Sequence, residues 1–387
     1  MQAPSSNILL TGVTGILGRH ILYELLPLYV SHKKYKIIVV IRDTKTEDAR
    51  QRLHSLLSSL YRPDYLNQFS LAELSDSIEI IPHDIIDLNE DDFNQLKKYA
   101  PVTVIHAAAV TNLSNTPQAY EELHHKNYTA TLRFLEWVNP VLSKFIFIGT
   151  AFSIGHFEGI IHNNYQEFST NTTAHQTLAG INRNPYEMLK SNVESKIITY
   201  CNHHHKKWQL LRPSIISGRL MDAPLYFSPK FNVFYEFGKF FYVYSNRMKT
   251  KSNSIRMVAN HQGTLNIIPV DFVAKTITRV FCNDDIYELN IVSSHGVKLD
   301  YLLPHTASIV GFQCELVEQV PTNMNDLEAA YYRLYAPNLT PYIQTPCHQF
   351  NTAQLRTIMS DIPEIDVQEA FKDLLGYALQ HGFRDLH

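Results

Sequence analysis

The sequence predicts an α/β protein with a doubly wound parallel sheet and a smaller, mostly helical lobe. In its first half, short apolar runs alternate with longer amphipathic stretches, which is typical of βαβ units. A turn that carries three glycines, residues 11–18, joins the first apolar run directly to the first amphipathic stretch. After Pro213 the alternation ends, and a stretch dense in aromatic residues follows.

Six apolar runs are predicted as strands, and five amphipathic stretches between them as helices. The predicted strands are Asn7–Thr11, Lys36–Ile41, Ser77–Pro82, Thr103–His106, Lys144–Gly149 and Trp208–Leu211. The predicted helices are Leu17–Val30, Thr46–Leu60, Asn89–Tyr99, Thr116–Trp137 and Tyr186–Asn202. Six strands with crossover helices match the Rossmann arrangement, in which a dinucleotide lies across the carboxyl edge of the sheet.

The rest of the chain predicts a second, discontinuous unit. Strand-like runs return at Leu265–Pro269 and Ile286–Val292, and the C-terminal region is predicted to be mostly helical, ending in an amphipathic helix at Val367–Gln380. We therefore predict a Rossmann domain formed by residues 1–212 and 264–293, and a substrate-binding lobe formed by residues 213–263 and 294–387. The aromatic segment of this lobe, residues 224–250, either lines a substrate tunnel or forms the core of the lobe.

Composition narrows the class of protein. A net charge of −3 over 387 residues is too small to favour a nucleic-acid partner or an anionic membrane surface. The four cysteines form no CxxC pair, so we predict reduced thiols, no metal site and a cytoplasmic location. The N-terminus lacks a basic region followed by an apolar core, and no apolar stretch near it is long enough to span a bilayer. Small-molecule chemistry fits these properties best.

The glycine-bearing turn has the spacing of a phosphate-binding loop. Gly12 permits the tight turn, Gly15 lets the backbone approach a pyrophosphate, and Gly18 allows close packing of helix on sheet. The N-terminus of the helix adds unpaired N–H groups and the positive end of its dipole. The cofactor contacts predicted for this loop are Thr11, Gly12, Thr14, Gly15, Ile16 and Leu17.

The end of the second strand favours NADP over NAD. Arg42 comes first there, and a guanidinium matches the oxygens of a 2′-phosphate, whereas NAD requires an acidic residue. We expect the adjacent Asp43 to turn away. Arg50 and Arg52 follow in the next helix and are able to extend the anion site, although a solvated surface position explains Arg50 better than it explains Arg42.

Two further strand ends are predicted to contact the cofactor. Asp84 and Ile85 follow the third strand, where a carboxylate can accept a hydrogen bond from the adenine amino group. After the fourth strand come three small residues that leave room for the cofactor against the sheet, Ala107, Ala108 and Ala109.

A tyrosine, a lysine and a threonine form the predicted catalytic set. The motif YxxxK occurs four times, at Tyr29/Lys33, Tyr186/Lys190, Tyr226/Lys230 and Tyr235/Lys239. Only Tyr186 opens a long helix between strands five and six, and one turn places Lys190 on the same face. Thr150 ends strand five at the same edge of the sheet. We predict that Thr150 hydrogen-bonds a substrate carbonyl, that Tyr186 donates a proton, and that Lys190 lowers the pKa of Tyr186 and holds the nicotinamide ribose.

With these residues in place, the chain resembles the extended short-chain dehydrogenases/reductases. It is most similar to their acyl-thioester reductases, which include the reductase domains of carboxylic acid reductases and the fatty acyl-CoA reductases. The matching segments are residues 11–18, 40–42, 49–53, 82–84, 105–109, 150–152, 186–190, 211–218 and 268–273. The resemblance implies that the arginines grip the 2′-phosphate of NADP, and it implies further cofactor contacts at Pro213, Ser214 and Ile216.

The sequence departs from the family pattern at two places. The segment Asn127–Thr131 has Ala130 where the family has glycine, so the local helix packing is expected to differ. The usual Ser-Thr at the end of strand five is Gly149-Thr150, which keeps the catalytic hydroxyl but removes its neighbour.

Three functions are compatible with these observations. The leading hypothesis is NADPH-dependent reduction of an acyl thioester, brought as acyl-CoA or on a carrier protein, to an aldehyde, with further reduction to the alcohol left open. The second is a reductase of a ketone or secondary alcohol with a sterol-like, polyketide-like or sugar-nucleotide substrate. The third, a catalytically silent NADP-binding regulator, is disfavoured because Tyr186 and Lys190 are both retained. A homodimer is a hypothesis by analogy with the wider superfamily.

Overall fold

A seven-stranded parallel sheet forms the centre of the protein in a computed structural model, which describes residues 5–157, 159–164, 182–247, 253–344 and 348–386. Its strands are β1 (Asn7–Thr11), β2 (Ile37–Val40), β3 (Ile78–Ile81), β4 (Val102–His106), β5 (Leu142–Ile148), β7 (Lys207–Pro213) and β12 (Glu288–Ile291). Their order across the sheet is β12-β7-β5-β4-β1-β2-β3. The order reverses between β1 and β4, and this reversal opens a crevice at the carboxyl ends of the strands.

Apolar residues on both faces of the strands bury the sheet between two helical layers. Ile8 and Leu10 of β1 pack into one core, and Leu9 packs into the other, because successive side chains of a strand point to opposite faces. The helices of this part are α1 (Ile16–Ser31), α2 (Ala49–Ser58), α3 (Leu71–Asp76), α4 (Glu90–Lys97), α5 (Pro117–Leu123), α6 (Ala130–Val138), α7 (Pro185–His203) and α9 (Val270–Val280). This arrangement is the doubly wound fold that the sequence predicts.

A third core, built by the C-terminal half, is rich in aromatic side chains. Its helices are α8 (Tyr235–Arg247), α10 (Leu299–Ser308), α11 (Asp326–Leu334), α12 (Ala336–Ile343) and α14 (Val367–Gln380). Helix α13 (Ala353–Ile358) packs instead on the sheet-bearing part through the buried Leu355. Short strands accompany these helices as four pairs: β6 (Ile160–Ile161) with β15 (Gln349–Phe350), β8 (Ile215–Ser217) with β11 (Ile267–Pro269), β9 (Ser254–Val258) with β14 (Gln313–Val317), and β10 (Thr264–Leu265) with β13 (Val297–Lys298).

Asp271 ties this half to the sheet-bearing half. It lies in the first turn of α9, and its carboxylate accepts hydrogen bonds from the backbone N–H groups of Leu220, Met221 and Asp222. Charge-assisted bonds of this kind are stronger than neutral ones. The similarity to the reductases at residues 268–273 therefore has a structural cause, since this aspartate holds the chain that follows β8.

The observed elements agree closely with the predicted ones in the first half. The predicted helix Thr116–Trp137 is divided, because a π-helical segment at His124–Thr129 separates α5 from α6 just before Ala130, where the family has glycine. The predicted strand Leu265–Pro269 is likewise two short strands, β10 and β11. The C-terminal region contains the strand pair β9–β14 besides its helices. The boundaries of the two predicted domains remain a prediction.

Candidate active site

The glycine loop after β1 packs tightly because each of its glycines lacks a Cβ. Gly12 has φ +78°, and a Cβ there would lie 2.7 Å from backbone atoms of Ala107 and Ala108. A Cβ on Gly18 would lie 2.1 Å from the carbonyl oxygen of Gly12. Gly18 thus lets α1 begin close against the backbone of the turn itself, and its predicted role in packing the helix on the sheet stays a prediction. Gly12 in addition allows the ends of β1 and β4 to approach each other.

The helix that follows this loop begins without a side-chain cap. Gly15 is the N-cap of the 16-residue helix α1, and no side chain accepts a hydrogen bond from the first turn. The N–H groups of that turn therefore point outward at the positive end of the helix dipole, which is the arrangement that binds a phosphate. Thr11 lies at the start of the loop, where its buried hydroxyl is bonded to His106 Nδ1 and accepts the N–H of Ala108, and its contact with a cofactor stays a prediction.

Two arginines lie together at the end of β2. The exposed side chain of Arg42 donates to Asp84 Oδ2 at 3.0 Å, and Arg52 Nη1 donates to the carbonyl oxygen of Arg42. The pKa of Arg52 is lowered, first by burial and then by the nearby Arg42. Asp43 turns away as predicted and accepts the N–H of Ala49 at the start of α2. The Asp43 carboxylate is therefore held by the start of α2, and the carboxylate that pairs with Arg42 is that of Asp84.

Helix α7 carries the predicted tyrosine in its first turn. Asn184 is the N-cap and accepts the N–H of Glu187, while Pro185 takes the first helical position, where its missing N–H costs no hydrogen bond. Tyr186 follows, and Lys190 lies one turn further along. The ammonium of Lys190 donates to the carbonyl oxygen of Ile148 at the end of β5, at 3.0 Å.

Thr150 caps the tight turn that follows β5. Its hydroxyl oxygen accepts the N–H of Phe152 at 3.3 Å, and its carbonyl oxygen accepts from Ser153. Because the hydroxyl oxygen is used as an acceptor, the hydroxyl hydrogen can be donated to another acceptor, such as a carbonyl oxygen in the crevice.

The protonation states differ from one of our predictions. Burial raises the pKa of Tyr186 to about 12, against a smaller lowering by its hydrogen bond with Thr111, and Lys190 is not among the causes. Burial also lowers the pKa of Lys190 to about 8, although the nearby Glu194 carboxylate raises it. The prediction that Lys190 lowers the pKa of Tyr186 is therefore wrong, because the groups that shift this pKa do not include Lys190. Tyr186 keeps its proton at neutral pH, as a proton donor must.

One cleft brings most of the predicted residues together. The residues that were predicted from the sequence and that line this cleft are Gly15, Ile16, Leu17, Ala107, Ala109, Thr150, Tyr186, Lys190, Pro213, Ser214 and Ile216. Others lie outside this lining: Thr14 in the loop, Ala108 beside Gly12, the Arg42–Asp84 pair at the end of β2, and Ile85, which packs against one of the sheet cores.

Among the residues near the cleft that were not predicted contacts, three are joined by hydrogen bonds to the elements that carry the site. Thr111 lines it and hydrogen-bonds Tyr186. Asn127, in the π-helical segment, holds both the N–H and the carbonyl oxygen of Val110 at 2.8 Å. Tyr342 reaches the cleft from α12. The resemblance to the reductases is the sequence signal that could have identified Asn127 and, in the C-terminal stretch, Tyr342.

The aromatic side chains of residues 224–250 form core and do not line the cleft within the described part of this segment. Its buried aromatic side chains are Phe227, Phe231, Phe234, Tyr235, Phe237, Phe240, Phe241 and Tyr244. From this segment only Lys230, Asn232 and Val233 line the cleft. Of the two interpretations of the sequence, the structure supports the aromatic core.

Within the described ranges, no group of three or more His, Cys, Asp or Glu side chains is arranged to hold a metal ion. Cys201, Cys282 and Cys314 are free thiols, and Cys347 lies outside the described residues. None of the described helices combines the length and the apolar character that crossing a membrane requires.

The fold and the cleft define an extended short-chain dehydrogenase/reductase, an oxidoreductase with a nicotinamide cofactor. The chain belongs to the family described as "Male sterility protein", whose model matches residues 10–277. No curated protein sequence matches the chain significantly.

Solved structures share the whole fold at low sequence identity. The terminal R domain from the myxalamid PKS-NRPS biosynthetic pathway has a TM-score of 0.69 at 17% identity, over 99% of this chain and 93% of that one. A thiolation-reductase di-domain from an archaeal non-ribosomal peptide synthetase has a TM-score of 0.65 at 18% identity, over 99% and 77%. UDP-glucuronic acid 4-epimerase from Bacillus cereus has a TM-score of 0.62 at 16% identity, over 97% and 99%.

The residues present fit a dinucleotide. The loop at Gly12 has no side chain that would block the backbone, the first turn of α1 is uncapped, and Tyr186 and Lys190 line the same cleft. Each of these features is what a pyrophosphate or a nicotinamide ribose requires from the protein.

Proposed function

We propose that this protein is an NADPH-dependent reductase of acyl thioesters. The observation that carries the proposal is the placement of Thr150, Tyr186 and Lys190 in one cleft with the phosphate loop. The likeness to reductase domains of carrier-protein pathways, over nearly the whole chain, supports a thioester substrate on coenzyme A or on a carrier protein.

The proposed roles follow from the raised pKa of Tyr186 and from the hydrogen bond in which the Thr150 hydroxyl oxygen is the acceptor. NADPH, when bound, supplies a hydride to the thioester carbonyl carbon. Thr150 donates its hydroxyl hydrogen to the carbonyl oxygen, and Tyr186 transfers its proton to that oxygen as negative charge develops. The resulting hemithioacetal breaks its C–S bond, which releases the thiol with the hydroxyl proton and leaves an aldehyde. A second round of the same chemistry gives an alcohol.

The proposal is tested by supplying NADPH and a series of acyl-CoA thioesters of increasing chain length, with free thiol and aldehyde measured in parallel. We expect NADPH to be consumed with release of one thiol for each acyl group reduced. Consumption of NADPH with ketones but with no thioester would overturn the proposal. It would favour the second candidate, a carbonyl reductase, which the full-length likeness to sugar-nucleotide epimerases supports.

Cofactor choice gives a separate prediction. Arg42→Ala is expected to raise the KM for NADPH about 10- to 100-fold, the loss expected for a charge-assisted hydrogen bond to a phosphate, and to leave the KM for NADH unchanged. Arg50→Ala is the matched control, since Arg50 is an exposed arginine of the same helix as Arg52. Steady-state kinetics with both cofactors measure the effect. An equal change for NADPH and NADH in Arg42→Ala would contradict a 2′-phosphate contact.

A further inference from the structure

Tyr342 connects the C-terminal half of the chain to the catalytic helix. It lies near the end of α12, and its half-buried side chain lines the cleft that contains Thr150 and Tyr186. Its hydroxyl oxygen accepts a hydrogen bond from Asn184 Nδ2 at 2.7 Å, and the hydroxyl is also hydrogen-bonded to Glu187. One hydroxyl group therefore bonds to residues on both sides of Tyr186.

The bond to Asn184 fixes the orientation of a helix cap. Asn184 Oδ1 accepts the N–H of Glu187 at 3.1 Å, while Nδ2 of the same amide donates to Tyr342. An asparagine amide has one acceptor end and one donor end, so these two partners together exclude the flipped orientation. The first turn of α7, which carries Tyr186, is held from within the helix and from α12 at once.

Tyr342 also packs against the turn that carries Thr150. Its ring lies edge-on to Phe152, two residues after Thr150, with 5.7 Å between the ring centroids. The guanidinium of Arg183 lies 5.1 Å from the ring centroid of Tyr342 and 5.9 Å from that of Phe152, and it forms a buried ion pair with Glu187. The two elements that carry the catalytic hydroxyl groups therefore meet at the side chain of Tyr342.

We propose that Tyr342 is a positioning residue, which sets the distance between Thr150 and Tyr186 by bonding the first turn of α7 and packing on the turn after β5. The proposal rests on the proposed function, in which these two hydroxyl groups act on one carbonyl oxygen. A displacement of a reacting group by about 1 Å can cost on the order of 100-fold in rate, so a contact of this kind has a large effect on kcat without any contact with the reacting atoms.

The variant Tyr342→Phe removes the hydroxyl and keeps the ring that packs on Phe152 and Arg183. We expect kcat to fall about 10- to 100-fold, with the KM for the thioester and the Kd for NADPH unchanged. The matched control is Tyr332→Phe in α11, where the hydroxyl also makes two hydrogen bonds, accepting from the N–H of Val258 and donating to the carbonyl oxygen of Arg256. It does not line the cleft, so we expect it to lower Tm while leaving kcat at the wild-type value.

A substrate-free measurement separates this proposal from the proposed function. Hydrogen–deuterium exchange of the peptide covering residues 182–190 is expected to be faster in Tyr342→Phe than in wild type or Tyr332→Phe, because the cap of α7 loses its outer partner. If this peptide exchanged at the wild-type rate in Tyr342→Phe, or if the kcat of Tyr342→Phe equalled that of wild type, the positioning role would be overturned. A wild-type enzyme that reduces no thioester, with faster exchange in Tyr342→Phe, would instead overturn the proposed function alone.

Discussion

Replacing Tyr186 with phenylalanine is expected to lower kcat by about 10²- to 10⁴-fold, the range that a positioned proton donor contributes. The ring and the helix cap remain, so the Kd for NADPH is expected to stay at the wild-type value. The fall in kcat is expected because the pKa of Tyr186 is raised to about 12, which keeps the phenol protonated and able to donate a proton at neutral pH. NADPH consumption with an acyl-CoA substrate, and titration of cofactor fluorescence, measure the two quantities.

The chain contains its own control for this variant. Tyr226 begins a second YxxxK match, but its hydroxyl donates to Asp373 at 3.2 Å and it does not line the cleft. Tyr226→Phe is therefore expected to keep the wild-type kcat. If Tyr186→Phe retained most of its activity, the proton would have to come from another group, and the proposed role of Tyr186 would be wrong.

The sheet and the phosphate loop could be predicted because their signals are local. β1 was predicted with its observed bounds, since an apolar run followed by a glycine turn is determined by neighbouring residues. The motif at Tyr186 and Lys190 was selected among four matches by its place between two strands, and only this tyrosine of the four lines the cleft. Periodicity and order along the chain were sufficient for these features.

Features that depend on distant contacts could not be predicted. Tyr342 is 158 residues from Asn184 in the sequence, and no local pattern indicates that their side chains meet. The raised pKa of Tyr186 has the same origin, because its main cause is burial, which elements from several parts of the chain produce. The aromatic segment was ambiguous because aromatic side chains fill cores and line tunnels equally well.

Gly149 shows how a departure from the family pattern can have a structural cause outside the motif. A Cβ at this position would lie 2.3 Å from Glu194 Oε1. Glu194 is fixed, because its other oxygen accepts from Arg212 Nε at 2.9 Å and Oε1 accepts from Ser153. A serine at this position would therefore require the Glu194 carboxylate, 45 positions away, to move, and this carboxylate belongs to a buried ion network.

Arg212→Met is expected to destabilise the protein by about 3–5 kcal/mol, the loss found when one partner of a buried ion pair is removed. The guanidinium of Arg212 is fully buried and pairs with both Glu194 and Glu288, and it also donates to the carbonyl oxygen of Asn163. Methionine fills similar space but leaves two buried carboxylates without their shared cation. Urea unfolding measures the loss. The control is Arg279→Met, whose partner Asp361 is mostly exposed, so that about 0–1 kcal/mol is expected.

The loss in Arg212→Met is also expected to depend on pH, and the direction of this dependence tests its cause. Burial raises the pKa of Glu194, whereas Arg212 lowers it, so removing the arginine raises it further. A carboxyl group with a raised pKa in the folded state stabilises that state below its unfolded pKa, and this stability is lost as the pH rises through the folded value. The deficit relative to wild type is therefore expected to be smaller at about pH 5 than at about pH 8. A deficit independent of pH would mean that lost packing around Arg212, and not an unpaired carboxylate, causes the destabilisation.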